Sequence, residues 1–383
     1  MEANGTLPAY RSDLPVAVDA TGGDKGLDVQ VEGAVAAFQE FGVRSILVGP
    51  ESELRAKLEV LRASQLPIEV QHAPHTIGMD ESPTRAVRRK PDSSLCVAYN
   101  LVKSGRASSI ISSGNSGAMM AAGNIICGLL PGIERPAIAT LIPVGGNNPP
   151  NVILDVGANV DCHARNLIQF AVMGAVYYTS LFNLEKPKVA LLSNGTEESK
   201  GNDVIRAAAV LLRQLDSIRY VGYVEGRDIA TPTANVIVCD GFVGNVVLKA
   251  MEGCVRLIAD ELLHEGQKGF IRKLGLGLSR GVFKEVFLER FDYTTYGGAP
   301  LLGLRKLALV LHGASDARAV KNAIRIADTF ARARMNEKIA LELSLLEELS
   351  LMGDDGFISG VLGRRGVSGK QNKPSADEPG GNS

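Results

Sequence analysis

Six times along this chain a short aliphatic run stops at a cluster of glycine and small polar residues, and a helical pattern usually follows. Residues 16–18 lead into Asp19, Ala20, Thr21, Gly22, Gly23 and Asp24, and residues 109–112 into Ser113, Gly114, Asn115, Ser116 and Gly117. Residues 152–154 lead to segment 155–161, 189–192 to 193–202, 236–238 to 239–245, and 307–311 to 312–316. Short apolar runs alternating with helices are the pattern of a mostly parallel sheet covered on both faces, whose strands are buried on both sides. Such sheets take their ligands in the crevice beyond the carboxyl ends of the strands. Each cluster follows its strand, so the repetition predicts an α/β enzyme with six polar loops along one rim.

The rest of the composition narrows the class. With 383 residues, 45% hydrophobic and 22% charged, the chain can bury a sizeable core and is not wholly disordered. Lys and Arg (41) balance Asp and Glu (42) to a net charge of −1, which excludes a strongly basic nucleic-acid binder. The cysteines Cys96, Cys127, Cys162, Cys239 and Cys254 are odd in number and contain no Cys-x-x-Cys, so reduced thiols are expected and neither a zinc site nor a disulfide framework. No apolar stretch in residues 1–14 resembles a signal peptide, and the apolar stretch 118–133 is too short to span a bilayer and is broken by Asn124 and Pro131. Residues 1–14 are expected to be a disordered tail and 15–350 one large catalytic unit. Its lobes would be 15–150 plus 300–350, and 151–299 with a helical arm over 244–291. Residues 351–383 form a tail, largely disordered from 366. A cytoplasmic protein that meets membrane only at a surface is expected.

Two rim loops suit an anion. Gly114, Asn115, Ser116 and Gly117 open a helix, so backbone N–H groups and the positive end of the helix dipole point outward. The 312–316 loop also precedes a helix, with Ser315 expected as its N-cap. Lys200 adds a charge in a third loop. No Walker motif, dinucleotide fingerprint, nucleophile elbow or His-Glu-x-x-His is present, which disfavours nucleotide binding, serine hydrolysis and zinc proteolysis. His72 and His75 read as surface residues. Cys162 and Cys239 read as small buried hydrophobes, not nucleophiles. Asp19, Asp24, Asp155 and Asp161 read as loop braces. Ser82 before Pro83 marks a helix start, and Arg88, Lys90 and Ser94 nearby are candidate substrate contacts.

The segments VAVDATGGD, MDESPTRAVRRKPDSSL, SSGNSGAMMA, PGIERPAIAT, ILDVGANVDC, SKGND, VEGRDI, VCDGFVGNVVLK, YGGAPLLG and HGASDARAVKNAI occur in this order. Together they resemble the PlsX family of bacterial phosphate acyltransferases, from about Val16 to about Leu349. Three positions depart from the usual pattern: Thr21 stands for methionine, Ser116 for threonine, and Leu192-Ser193-Asn194-Gly195 for Leu-Asn-Ile-Gly. The resemblance implies a three-layer α/β/α sandwich similar to the isocitrate and isopropylmalate dehydrogenase and phosphate acetyltransferase folds. It implies transfer of a long-chain fatty acyl group from acyl carrier protein to inorganic phosphate, the acyl phosphate serving phosphatidic acid synthesis. The implied partners are acyl carrier protein, phosphate, an anionic membrane surface, a second copy of the chain and a downstream glycerol-3-phosphate acyltransferase. Neither cofactor, metal nor nucleic acid is expected.

That reaction asks little covalent help from the protein. Phosphate is already anionic, and a thiol of pKa near ~8.5 leaves readily, so the site must position phosphate and stabilise an oxyanion. The expected assignment gives Gly114, Asn115, Ser116, Gly117 and Ser315 the phosphate, and Lys200 its charge. Asn245 would stabilise the oxyanion, His312 would donate a hydrogen bond or carry a proton, and Asp240 would orient Lys200 or His312. Beyond a long helix expected over 244–265, the basic-apolar stretch carries Phe270, Ile271, Lys273, Leu274, Leu276, Leu278, Arg280 and Phe283. Glycines 275–281 are expected to divide it into two helices. This arm suits an anionic lipid surface, acyl carrier protein or a dimer partner. The competing readings are a phosphate acetyltransferase-like enzyme using acyl-CoA and a catalytically silent membrane-associated scaffold.

Overall fold

The computed structural model describes residues 14–279, 281 and 297–352. Residues 1–13 and 353–383 of the expected tails and the arm residues Arg280 and Phe283 therefore lie outside the described residues, as does the side chain of Ile271. Among the described residues eleven strands form one sheet: β1 (Val16–Asp19), β2 (Ser45–Gly49), β3 (Ile68–His72), β4 (Ser109–Ser112), β5 (Ala137–Ile142), β6 (Asn151–Leu154), β7 (Lys188–Leu192), β8 (Arg219–Val224), β9 (Val236–Val238), β10 (Ala299–Leu302) and β11 (Leu307–Val310). Their order is β3-β2-β1-β4-β11-β10-β5-β6-β9-β7-β8. All six apolar runs read from the sequence are strands, and each is buried as a doubly covered sheet requires.

Helices cover both faces. Val16 and Val18 of β1 face one core and Ala17 the other, following the two-residue period of a strand. The first core is closed by α1 (Leu27–Phe41), α2 (Glu51–Val60), α6 (Ala164–Phe182), α7 (Asp203–Leu212), α10 (Ala317–Arg332) and α11 (Met335–Met352). The second is closed by α3 (Pro83–Arg89), α4 (Ser94–Lys103), α5 (Ser116–Ala122) and α8 (Gly241–Gly266). The result is a three-layer α/β/α sandwich. Tyr99, Tyr177, Phe170 and Phe330 are fully buried, each contributing about 1.5–3 kcal/mol through lost apolar exposure.

The strand directions correct one expectation. From β3 to β11 every pair is parallel, but β11–β10, β10–β5 and β5–β6 are antiparallel, and from β6 to β8 the pairs are parallel again. Three successive reversals turn the second half of the sheet against the first. The six polar loops therefore do not share one rim. Those after β1, β4 and β11 lie on one edge, and those after β6, β9 and β7 lie on the opposite edge.

The helical arm is also placed differently. The long helix starts at Gly241, not Gly244, because the Asp240 carboxylate caps it by accepting the Val243 N–H at 2.8 Å. The helix ends at Gly266, and after a turn at 267–269 α9 (Phe270–Leu278) runs through Gly275 and Gly277 and stops at Ser279, inside the expected 275–281 stretch. Likewise Asp316, not Ser315, caps α10, accepting the Ala319 N–H at 2.9 Å, while Ser315 is buried.

Gly244 shows why α8 can lie so close to the sheet: a Cβ there would stand 1.9 Å from the Asp155 carbonyl oxygen. Gly253, in the same helix, would meet nothing within 4 Å. Gly244→Ala should destabilise the fold by about 3 kcal/mol, since a backbone oxygen cannot rotate away. Gly253→Ala should stabilise it by about 0.5–1 kcal/mol. Urea-unfolding midpoints of the two variants check both signs.

Candidate active site

On the first edge the three loops are locked together by a buried carboxylate. Asp19 ends β1 at 3% exposure, and its Oδ2 accepts the Ser112 hydroxyl at 2.7 Å. Ser112 Oγ in turn accepts the Gly114 N–H at 3.0 Å, which fixes the turn leading into α5. Gly22 makes this possible, because a Cβ there would stand 2.8 Å from the Gly114 nitrogen. Burial raises the Asp19 pKa, and hydrogen bonds from Ser94 and Ser112 oppose that shift. The 312–316 loop joins through Asp24 N–H, which donates to the Gly313 carbonyl at 2.8 Å.

Around this hub lies a hydroxyl cluster. Thr21 Oγ1 is 2.6 Å from Ser94 Oγ and accepts the Thr76 hydroxyl at 2.7 Å. Lys90 donates to the Thr76 carbonyl at 2.9 Å and to Glu81 at 2.7 Å. That bond from Lys90, with the Gly78 N–H, holds the Glu81 carboxyl below its ordinary range. Of the three candidate substrate contacts, Lys90 is thus engaged within the protein, Ser94 is buried against Thr21, and Arg88 is exposed.

Asn115 is placed at the expected loop but performs a bracing task. Its Oδ1 accepts the Ala118 N–H at 3.0 Å as the N-cap of α5, and its Nδ2 lies 3.1–3.4 Å from the carbonyls of Gly78, Met79 and Glu81. What the loop presents outward is the Ser116 hydroxyl and the first-turn backbone of α5. His312 is exposed on the same edge, and its Nδ1 accepts the Ala314 N–H at 3.1 Å. A ring accepting at Nδ1 carries its proton on Nε2 and is a donor there.

On the second edge the hub is Asp155. Its two oxygens accept N–H bonds from Ile138, Ala158 and Asn159 and from the Asn159 amide, at 2.7–3.1 Å. Burial raises its pKa, with those four donors pulling the other way. Asn245, half-buried on α8, sits beside Gly157 in this group. Lys200 is exposed, its stem folded over Gly195, and Asn194 Oδ1 closes that loop by accepting the Gly201 N–H at 2.9 Å. β7 is six strand positions from β4, ~29 Å at the usual ~4.8 Å strand spacing. Lys200, which follows β7, is therefore not brought beside Gly114–Gly117, while Asp240 and Asn245 stand at the second edge by Asp155 and Gly157. Sheet reversal separates the two edges.

A groove of about 700 Å³ connects the two edges. Its floor is β5 and β10, its roof is α8, and Ser116, His312 and Ala314 stand at its first-edge end with Val156 at the other. The sequence reading missed the α8 residues that line it, although their spacing at 248, 251, 255 and 259 is the three- and four-residue step of one helix face. Among the described residues no group of three or more His, Cys, Asp and Glu can hold a metal ion.

The family model described as fatty acid synthesis protein matches residues 14–338. The phosphate acyltransferase of Geotalea daltonii is 48% identical over 330 residues, covering 86% of this chain and 94% of that protein. This chain belongs to the PlsX phosphate acyltransferase family. The phosphate acyltransferase of Syntrophotalea carbinolica is 46% identical over 332 residues, 87% of this chain and 94% of its own. Among solved structures, a phosphotransacetylase from Streptococcus pyogenes superposes with a TM-score of 0.57 at 19% identity, covering 84% of this chain and 94% of that one. The EutD phosphotransacetylase from Staphylococcus aureus gives 0.54 at 17% identity, over 83% and 94%. These two establish a shared fold.

Cys162 and Cys239 do not suit nucleophilic roles. Burial, reinforced by the Asp240 and Asp155 charges, pushes Cys239 well above the ordinary thiol range, and burial with Asp155 and Asp240 pushes Cys162 up to about 11. A thiol reacts as thiolate, whose fraction grows as pH rises toward the pKa. Iodoacetamide should therefore label Cys162 very slowly at pH 7, with the rate still climbing about tenfold per pH unit to pH 10. Peptide mass spectrometry of a pH series reads this, and Cys162→Ser should keep full turnover.

Proposed function

We propose that this protein moves a long-chain acyl group from the thioester of acyl carrier protein to inorganic phosphate. A phosphate oxygen forms the new bond to the acyl carbonyl carbon, the carbon–sulfur bond breaks, and the carrier's thiolate leaves and takes up a proton. The observation that carries this reading is the junction at Ser116 and His312, where the anion-suited edge opens onto an apolar groove. Phosphate would sit over Gly114–Gly117 at the exposed Ser116, held by backbone N–H groups at the positive end of α5, with the buried Ser315 out of reach. The His312 Nε2–H would donate to the oxyanion that develops at the carbonyl. The acyl phosphate would feed phosphatidic acid synthesis through a glycerol-3-phosphate acyltransferase.

The arm supports a surface role. Phe270, Leu274 and Leu278 of α9 are 81%, 56% and 82% exposed, beside Lys273, and the outer face of α8 exposes Leu257 and Ile258. Leu276 packs instead toward Gly266. An amphipathic basic element of this kind lies in the headgroup region of an anionic bilayer. Among the described residues no helix is long and apolar enough to cross a membrane. A peripheral association at the inner face of the cell membrane, and a homodimer, complete the proposal.

The decisive assay follows phosphate-dependent release of carrier-protein thiol, with hydroxylamine trapping the acyl phosphate. His312→Ala should lower kcat by roughly 10²–10³-fold, the usual cost of an oxyanion donor. Lys200→Ala should change kcat/KM by less than about threefold, because an exposed charge so far from α5 is screened beyond the ~8 Å Debye length. An equal loss in both variants would overturn the assignment of the chemistry to the first edge. Leu274→Glu with Leu278→Glu should abolish flotation with anionic liposomes while leaving turnover of soluble carrier substrate intact.

A further inference from the structure

The roof of the groove has a chemistry that the phosphate site does not explain. α8 begins against the Asp155 hub at the second edge, where Gly241 N–H donates to the Asn159 carbonyl at 2.7 Å. Its residues from Leu248 to Ala259 then line the groove together with Ala299, Leu311 and His312 of the first edge. The helix therefore crosses the sheet from one edge to the other, and the span from Leu248 to Ala259 is ~16 Å at ~1.5 Å per residue. Beneath it, Ile138, Thr140 and Ile142 of β5 point the same way along a six-residue strand, ~20 Å long.

The lining is apolar along this length. Leu248, Met251, Val255 and Ala259 form the roof stripe, and the charged lining groups Glu252 and Arg256 share that helix. Long side chains there can keep their heads toward water while their stems cover apolar surface. A volume of about 700 Å³ lies within the range of ligand clefts, roughly 300–1,000 Å³. An apolar lining that follows one helix face for ~16 Å from an anion-suited end fits a linear hydrocarbon.

Resting on the reaction proposed above, we infer that this groove receives the fatty acyl chain, thioester carbonyl at Ser116 and His312, tail toward Leu248 and Val156. Met251 and Val255, midway along the roof, are then specificity-determining residues that set the longest chain accepted. A short chain reaches only the first-edge half of the groove and does not touch them. A long chain must pass beneath both.

The test is the chain-length profile of kcat/KM for butyryl to stearoyl carrier protein, with the binding of a fluorescent polyene fatty acid as a second readout. Val255→Phe should reduce kcat/KM for palmitoyl donor by roughly tenfold or more, a modest share of what lost methylene contacts are worth, and should weaken polyene binding. The same variant should leave the butyryl donor within about twofold. Met251→Ala should shift the optimum toward longer chains. Val60→Phe, exposed on α2 across the sheet from α8, serves as the control and should leave the profile unchanged.

An unaltered profile and unaltered polyene binding in Val255→Phe would overturn the inference. So would an equal shift in Val60→Phe, or a change confined to sedimentation behaviour, which would make the groove a contact between copies. If the unmodified protein turned over no acyl donor with phosphate, the reaction would fail. Polyene binding sensitive to Val255 and not to Val60 would still report on the groove.

Discussion

The structure depends on three antiparallel pairings in the middle of an otherwise parallel sheet. β10 and β5 are joined antiparallel to each other and to β11 and β6, so the outer blocks run in opposite directions. Each block keeps the usual rule that polar loops gather at the carboxyl ends of parallel strands. Because the blocks oppose each other, the molecule acquires two loop-rich edges instead of one. The middle strands then become a floor between them, and α8, leaving one edge, has to cross that floor to reach the other. The groove follows from strand direction.

Each edge is organised by one buried carboxylate at the end of a strand. Asp19 closes β1 and accepts the Ser112 hydroxyl, while Asp155 follows β6 and gathers four donors from the neighbouring segments. Leaving Asp155 unpaired would cost several kcal/mol, so the loops around it have few alternative arrangements. This is why small residues crowd there. Donors can converge on a buried oxygen only where side chains do not keep the backbones apart, as at Gly22 and Gly244.

Much of this was legible in the sequence, and the failures share a cause. Strand content was local: 109–112 and 236–238 are strands over those same residues, and Asp19 and Asp155 were readable as braces. Strand direction was not local. The stretches at 137–142 and 299–302 carry no signal of which neighbour they pair with or in which sense, yet they decide that Lys200 and Asn115 lie on different edges. The Asn115 side chain was misassigned for a related reason. Its residue type fits a phosphate ligand and an N-cap equally well, and only the approach of the 78–81 backbone shows that its amide is already used.

α8 brings these threads together, because its two faces face different solvents. Its inner stripe closes an apolar groove, while Leu257, Ile258 and Leu262 stand 62%, 52% and 42% exposed on the outside. A helix apolar on both sides is expensive in water, and burial of the outer face by lipid or by a second copy would lower that cost. Whatever covers the outer face also restrains the roof of the groove, since both are one rigid helix anchored at Asp240.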